Sequence, residues 1–442
     1  MELRDFIVTP IIILLVYTVA YILRSSVTDS VTRPYFFPAL TAKILGALAL
    51  GFIYQFYYSG GDTYNFHSYG SRHIWEAFME DPAAGFKLLF GDGSNELGIY
   101  KYSSKIAFFH DRQSFMVIRI AAVFDLLTFS SYSATAVLFS IISFIGLWML
   151  FVAFYELKPE LHRWIAIATL FIPSVVFWGS GLLKDTITLA CLGIATLLTK
   201  RIFIDKRFNI VQALLLLLCF YIIFSIKKYI LLSYLPALMI WVYATTLAKV
   251  RSTAFKVLML PFVIIIAAVS GYFTIAQVGK DDPRYALEQI GNTAKITAYD
   301  IAYLTGHDAG STYSLGELDG SFSGLLKLAP QAINVSLFRP YIWEVRNPLM
   351  LMSAVESITL LALTIFVIFK RAATLFATLL NPHIIYCMVF SLTFAFAVGV
   401  STFNFGTLSR YKIPLLPFYA LALIFIYYEN KETKLDEFES TE

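Results

Sequence analysis

The sequence predicts an all-α protein, a polytopic bundle of about eleven transmembrane helices, with amphipathic interfacial helices in two long outer loops. Three observations predict this class. Of 442 residues, 58% are hydrophobic and only 14% are charged, whereas about a quarter are charged in a soluble protein. Aromatic residues make up 17%, which is typical of aromatic belts at membrane interfaces. Long apolar runs recur along the chain. Together these features exclude a soluble enzyme, a disordered protein and a nucleic-acid binder.

The candidate spans are the apolar runs that approach the length of about 20 residues that a bilayer core requires. They lie at 6–23, 36–58, 131–155, 162–178, 182–199, 208–225, 229–248, 257–277, 348–369, 383–403 and 411–428. We expect the first run to be retained rather than cleaved as a signal peptide, because no basic region precedes it. Residues 1–428 then form a single transmembrane domain, and the polar tail 429–442 is expected to be disordered and cytoplasmic.

The orientation follows from the basic residues of the short connections, because Lys and Arg favour the cytoplasmic side. If the N-terminus is outside, every second connection is basic. The residues concerned are Arg24, Arg33, Lys158, Arg163, Lys200, Arg201, Lys206, Arg207, Lys249, Arg251, Lys256, Lys370 and Arg371. We therefore expect a plasma (inner) membrane protein with an outer N-terminus and a cytoplasmic C-terminus. The two long segments 59–130 and 278–347 then lie outside.

A few charges lie at the predicted outer ends of spans, where the same rule disfavours cations. They form three pairs in the sequence: Lys184 with Asp185, Lys227 with Lys228, and Arg410 with Lys412. A charge that enters a span is costly and needs a local reason. An anionic ligand is one such reason. Snorkelling of the cations to lipid phosphate and a plain ion pair between Lys184 and Asp185 are the alternatives.

The first outer segment begins with SGGDTYNFHSYGSRHIWEAFMEDP. Gly60 and Gly61 end a helix there, and Asp62 is placed to cap the next one. The spacing after Asp62 predicts an amphipathic helix on the outer leaflet. Its polar face carries Asn65, Tyr69, Arg72 and Glu76. A carboxylate at this surface could serve as general base toward a sugar hydroxyl, with His67 sharing the site; a plain cap and an interfacial histidine are the alternatives.

The second outer segment ends in another predicted interfacial helix, which delivers Arg339, Glu344 and Arg346 to the membrane surface beside Trp343. Arg binds phosphate through a planar fork of donors, so these side chains suit a sugar pyrophosphate. An aromatic-belt anchor with a local Glu–Arg pair is the alternative.

The sequence lacks the motifs of several other kinds of functional site. We find no Gly-rich phosphate loop and no HExxH or GxSxG motif. Cys191, Cys219 and Cys387 lie inside apolar runs and offer neither a disulfide framework nor a metal-ligand spacing. We therefore expect no metal ligands among the cysteines.

With these residues assembled, the chain resembles the GT-C superfamily of integral-membrane glycosyltransferases and, more loosely, polysaccharide polymerases. The resemblance rests on GGDTYNF after an early span, the helices of the first outer segment, PSVVFWGSGLLKD, and SRYKIPLLP at the last span. It implies a helix bundle with an outward-facing cavity. It also implies a polyprenyl-phosphate-linked sugar as donor and a glycan, lipid or protein as acceptor.

The resemblance assigns roles to particular residues. Asp62 corresponds to the catalytic base, and Asp185 to the acidic position of the second outer loop. Candidate substrate-binding residues are Asn65, His67, Lys184, Arg339, Glu344, Arg346, Arg410 and Lys412, with Arg410 on the lipid phosphate. The chain departs from the family in an extra early span and in having one clear Asp in the acidic loop. Whether a divalent cation, Mg²⁺ or Mn²⁺, is a cofactor stays open.

Two other functions remain as alternatives. A polymerase or ligase of lipid-linked glycans would depend more on Arg residues than on an Asp base. A flippase or transporter of lipid-linked glycans often shows inverted repeats and broken helices at the bilayer midplane. The sequence has no evident internal repeat, and its unusual charges lie near the ends of spans. A lipid-dependent glycosyltransferase is therefore the leading hypothesis.

The orientation can be tested with reporter fusions. A reporter fused after Lys206 should be cytoplasmic, because that connection carries four basic residues, Lys200, Arg201, Lys206 and Arg207. A reporter inserted within 305–320 should be extracytoplasmic. The measurement is the compartment-dependent activity of each reporter, and a cytoplasmic signal from 305–320 would contradict the orientation.

Overall fold

The computed structural model describes residues 2–91, 98–249, 289–306, 311–317 and 319–439, and the single positions 265 and 269. These residues are helical apart from connections and one isolated β-bridge between Thr312 and Asn404. The predicted all-α class is confirmed over this part of the chain. The predicted span 257–277, apart from two positions, lies outside the described residues.

The helices belong to two compact units. The first comprises Met1–Leu197 and Leu214–Lys227, and the second comprises Leu198–Ala213 and Lys228–Glu442. Helices α11 and α12 each run from one unit into the other.

The helices up to the first unit boundary are numbered in chain order. They are α1 Leu3–Val27, α2 Arg33–Phe56, α3 Asp62–Phe66, α4 Arg72–Glu80, α5 Pro82–Phe90, α6 Tyr100–Ser103, α7 Arg112–Thr128, α8 Tyr132–Tyr155, α9 His162–Leu170, α10 Pro173–Trp178 and α11 Lys184–Thr199. A π-helical segment, His67–Ser71, joins α3 to α4, and another, Lys200–Ile204, extends α11.

The remaining helices begin with α12, which contributes Leu214–Lys227 to the first unit. They are α12 Ile210–Ala248, α13 Ile290–Gly306, α14 Phe322–Lys327, α15 Ala329–Phe338, α16 Pro348–Arg371, α17 Leu375–Thr378, α18 Pro382–Thr402, α19 Phe405–Tyr411 and α20 Leu416–Glu439. A short 3₁₀ turn, Ile342–Glu344, precedes α16.

Within the described residues, seven helices are long and apolar enough to cross a membrane, or eight if α19 and α20, bent by 67°, form one span. The seven are Leu3–Val27, Arg33–Phe56, Tyr132–Tyr155, Lys184–Ile204, Ile210–Ala248, Pro348–Arg371 and Pro382–Thr402. Helices of this kind indicate a membrane protein in a lipid bilayer. The predicted number of about eleven spans is not confirmed.

Two local features explain half of the difference in number. The predicted span 162–178 is divided into α9 and α10, because Pro173 has no N–H and disfavours helical backbone at the preceding residue. The predicted spans 208–225 and 229–248 both fall within α12, a helix of 39 residues that leaves helical geometry at Lys227 (φ −144°, ψ 77°).

One other expectation also differs from the structure. The predicted amphipathic helix after Asp62 is divided into α3, the π-helical segment and α4, with non-helical backbone at Tyr69. The polar face expected from Asn65 to Glu76 is therefore not one regular face.

The position of α11 in the first unit is set by close backbone packing against α8. A Cβ atom on Gly146 would lie 2.3 Å from the Cα of Ala190, and one on Gly193 would lie 2.0 Å from the carbonyl oxygen of Gly146. Small residues let membrane helices approach this closely. The packing fixes the helix whose first two residues are Lys184 and Asp185.

Candidate functional site

Five charged side chains lie together at one end of the first unit. They are Asp62, Asp111, Lys184, Asp185 and Lys227, and we call them the charged cluster. From the sequence, all five positions were expected on the same side of the membrane. Their proximity places the end of α2, the start of α11 and the break in α12 at one end of this unit.

Asp62 is held where the chain turns from α2 into α3. Gly60 and Gly61 adopt positive φ values of 136° and 122°, a region that favours glycine. A Cβ on Gly61 would also lie 2.9 Å from the ring of Tyr54. Gly61 is the N-cap and Asp62 the first helical residue, so the expectation that Asp62 is the cap is wrong. Its side chain is partly exposed.

The short helix α3 is fastened to α8 by two side chains next to Asp62. Thr63 Oγ1 lies 2.8 Å from the hydroxyl of Tyr132, and the ring of Tyr64 stacks on Tyr132 at a centroid distance of 4.3 Å. A carboxylate on a fixed helix keeps its orientation, which a catalytic base requires.

Asp185 and Lys227 form a buried ion pair. Asp185 Oδ1 accepts a hydrogen bond from Lys227 Nζ, and both side chains are buried. The expected alternative, a pair between Lys184 and Asp185, is not found: the two neighbours in sequence bind different partners. Lys227 is also the residue at which α12 leaves helical geometry. Its burial beside a carboxylate excludes snorkelling to lipid phosphate.

Lys184 contacts Asp111 instead. Its Nζ lies 3.4 Å from Asp111 Oδ2, and its ammonium group also interacts electrostatically with Lys227 and Asp62. Asp111 caps α7 by accepting hydrogen bonds from the N–H groups of Gln113 and Ser114.

Asp111 is charged under ordinary conditions. Burial raises the pKa of Asp111, but the ammonium of Lys184, with the hydrogen bonds from Ser114 and Gln113, holds that pKa below its ordinary value overall. The contact between Asp111 and Lys184 is therefore one between full opposite charges.

His67, expected at the substrate-binding surface, is fully buried. Its Nε2 lies 3.4 Å from Oδ1 of Asp125 without a hydrogen bond between them, and the Asp125 carboxylate accepts hydrogen bonds from Ser71 at 2.6 Å and Thr135 at 2.7 Å. This buried network secures the π-helical segment behind α3. His67 therefore contributes to the position of α3, whereas Asn65 stays partly exposed.

Lys43 is a buried charge that we did not identify from the sequence. Its Nζ donates hydrogen bonds to the carbonyl oxygens of Val175 (2.8 Å) and Gly179 (3.0 Å) at the end of α10. Lys43 shares these two carbonyls with the Gly179 N–H, which donates to Val175, and with the Ser143 hydroxyl, which donates to Gly179. The signal was present in the sequence, since Lys43 lies in the middle of the apolar run 36–58.

The second unit has its own group of polar side chains around the turn before α16. The guanidinium of Arg339 binds both carboxylate oxygens of Glu344, with Nε at 3.1 and 3.0 Å. Burial raises the pKa of Glu344, but the hydrogen bonds from Arg339 and the Tyr341 N–H hold it below its ordinary value. The local Glu–Arg pair that we considered as an alternative is present, and Trp343 beside it is 76% exposed.

Lys412 and Arg410 differ in their surroundings. Lys412 is fully buried, and its Nζ donates to Ser357 Oγ at 2.9 Å and to the carbonyl of Arg339 at 3.4 Å. This side chain holds the turn in place rather than facing a ligand. Arg410 is also buried and lies 5.9 Å from the ring of Tyr411, whereas Arg346 is exposed.

Among the residues that the structure describes, no three His, Cys, Asp or Glu side chains come together in a way that could hold a metal ion. Comparison with known proteins gives no relative: no protein family, curated protein or solved structure matches the chain. The function must therefore be inferred from the geometry of the charged cluster.

The buried ion pair should show strong energetic coupling. Asp185→Asn and Lys227→Met should each lower the free energy of unfolding by about 3–5 kcal/mol, because each leaves a buried charge unpaired. The double variant should recover much of this loss. The measurement is thermal unfolding in detergent.

The matched control is the exposed pair between Lys101 and Glu80. Lys101→Met should change the melting temperature little, since exposed ion pairs are screened by water. Losses that simply add in the Asp185/Lys227 double variant would contradict the pairing.

Proposed function

We propose that the chain is a membrane glycosyltransferase that moves a sugar from a polyprenyl-phosphate-linked donor to a glycan, lipid or protein acceptor. The observation that supports this proposal is the partly exposed carboxylate of Asp62, which interacts electrostatically with the ammonium of Lys184 at the start of α11. A lipid-linked donor has its headgroup at that depth, with its tail in the bilayer.

The chemistry of glycosyl transfer requires both charges. A base removes the proton from the acceptor hydroxyl, the oxygen attacks the anomeric carbon, and the bond to the donor phosphate breaks. Negative charge then grows on the leaving phosphate, where a fixed cation stabilises it. In this proposal Asp62 is the base, and Lys184 is a cation whose charge interacts with that base.

Asp62 suits the role of base better than Asp185, the other candidate. Asp185 is fully buried and its charge is matched by Lys227, so a substrate hydroxyl has no route to it. Asp62 is partly exposed and stands on a helix secured by Tyr132. Asp185 then acts indirectly, by fixing the start of α11.

The proposal places the site at the outer face of the plasma membrane, following the orientation predicted from the basic connections. The resemblance assigns the lipid phosphate to Arg410, but Arg410 is buried in the second unit, so Lys184 is the better candidate beside Asp62. An Arg-based polymerase or ligase is less well supported, because Arg339 is already engaged by Glu344.

Replacing the proposed base gives the direct test. Asp62→Asn should leave the protein folded and should lower turnover by about 10²- to 10⁴-fold, the usual contribution of a positioned general base. The measurement is transfer from a panel of polyprenyl-phosphate-linked hexoses and pentoses, with membranes that contain the purified protein.

Asp81→Asn is the matched control, because Asp81 is exposed in the same outer segment and only caps α5. Asn caps a helix about as well as Asp, so this variant should keep normal turnover. Near-normal turnover in a folded Asp62→Asn protein would show that Asp62 is not the base.

A further inference from the structure

We propose that Lys184 binds the phosphate of the lipid-linked donor, and that the carboxylate of Asp111 occupies the phosphate's position until the donor arrives. This inference rests on the proposed function. It adds that Lys184 contacts the donor phosphate and that the Asp111 carboxylate competes with this phosphate. Asp111 then sets the affinity of the site for its anionic ligand.

Lys184 is the ammonium of the charged cluster that is available to a ligand. Lys227 is buried against Asp185, whereas the side chain of Lys184 is 18% exposed. Its contact with Asp111 is 3.4 Å long, and charge-assisted hydrogen bonds of this type are usually about 2.7–2.9 Å. An ammonium has three hydrogen-bond donors, so the long contact with Asp111 leaves Lys184 able to bind another anion at a shorter distance.

Asp111 is able to move aside. Its side chain is 47% exposed, so water can solvate the carboxylate once it leaves Lys184. Its other partners are the N–H groups at the start of α7 and the hydroxyl of Ser114, and these are local to its own helix. Leaving Lys184 therefore breaks no contact with a third element of the unit.

Repulsion between like charges favours this displacement. Asp111 is a carboxylate in contact with Lys184, so a phosphate added beside it would meet a like charge, which is unfavourable. When Asp111 has turned toward water, the ammonium of Lys184 can donate hydrogen bonds to the phosphate.

The position relative to the base also fits. The acceptor oxygen and the leaving phosphate are bound to the same anomeric carbon in the transition state, so base and phosphate-binding cation must be near each other. Lys184 interacts electrostatically with Asp62. This interaction within one unit is compatible with that requirement.

The test is a binding titration with polyprenyl monophosphate in nanodiscs of zwitterionic lipid, with the full-length protein. Uncharged polyprenol serves as the ligand control. Asp111→Asn should raise the affinity about two- to fivefold, because it removes a competing anion whose interaction with Lys184 has the strength of an exposed ion pair. Asn still caps α7. Lys184→Gln should lower affinity about tenfold or more, since it removes a charged hydrogen-bond donor.

The double variant separates competition from simple disturbance. Asp111→Asn combined with Lys184→Gln should bind as weakly as Lys184→Gln alone, because Asp111 acts only through Lys184. Asp81→Asn should leave binding unchanged. Unchanged or weaker binding by Asp111→Asn would overturn the proposal, as would normal binding by Lys184→Gln.

Competitors identify the source of the phosphate. Polyprenyl monophosphate should stay bound when phosphatidylglycerol is added to the nanodisc or inorganic phosphate to the buffer. Equal displacement by either would overturn the assignment to a lipid-linked donor. The titration contains no transfer step, so its outcome is independent of whether Asp62 is the base.

Discussion

A charge buried inside an apolar helix bundle needs a partner. In the first unit, Asp185 and Lys227 provide this for each other as a buried ion pair. Removing either partner would leave an unpaired charge in a buried place, which costs several kcal/mol. The pair links the first turn of α11 to the break in α12. Asp185 pairs with Lys227 and not with its neighbour Lys184. Lys184 therefore contacts Asp111 and interacts electrostatically with Asp62.

Much of the framework of the candidate site could be predicted from the sequence, because it follows from the free-energy cost of placing a charged side chain in an apolar membrane helix. Long apolar runs predict membrane helices, and a charge at the end of such a run requires a reason. These two rules identified Lys184, Asp185 and Lys227. The Gly–Gly break identified Asp62 at the start of a helix, and the structure places Gly61 and Asp62 at that turn.

The rest depends on contacts between distant parts of the chain. Lys184 and Asp185 are neighbours, yet their partners lie 73 and 42 residues away, which no local pattern encodes. His67 is buried, and its Nε2 lies 3.4 Å from Asp125 on another helix. The regular helix expected after Asp62 is interrupted by the π-helical segment that carries His67 and Ser71 to that carboxylate. Periodicity alone assumes that a helix continues unbroken.

The central claim is that Asp62 and Lys184 face one lipid-linked phosphosugar. A cryo-electron microscopy structure in nanodiscs containing polyprenyl phosphate tests it most directly. The account predicts phosphate density within hydrogen-bonding distance of Lys184 Nζ, with Asp111 turned away and Asp62 beside the space where the sugar would lie. Phosphate density bound elsewhere, with the contact between Lys184 and Asp111 intact, would contradict it.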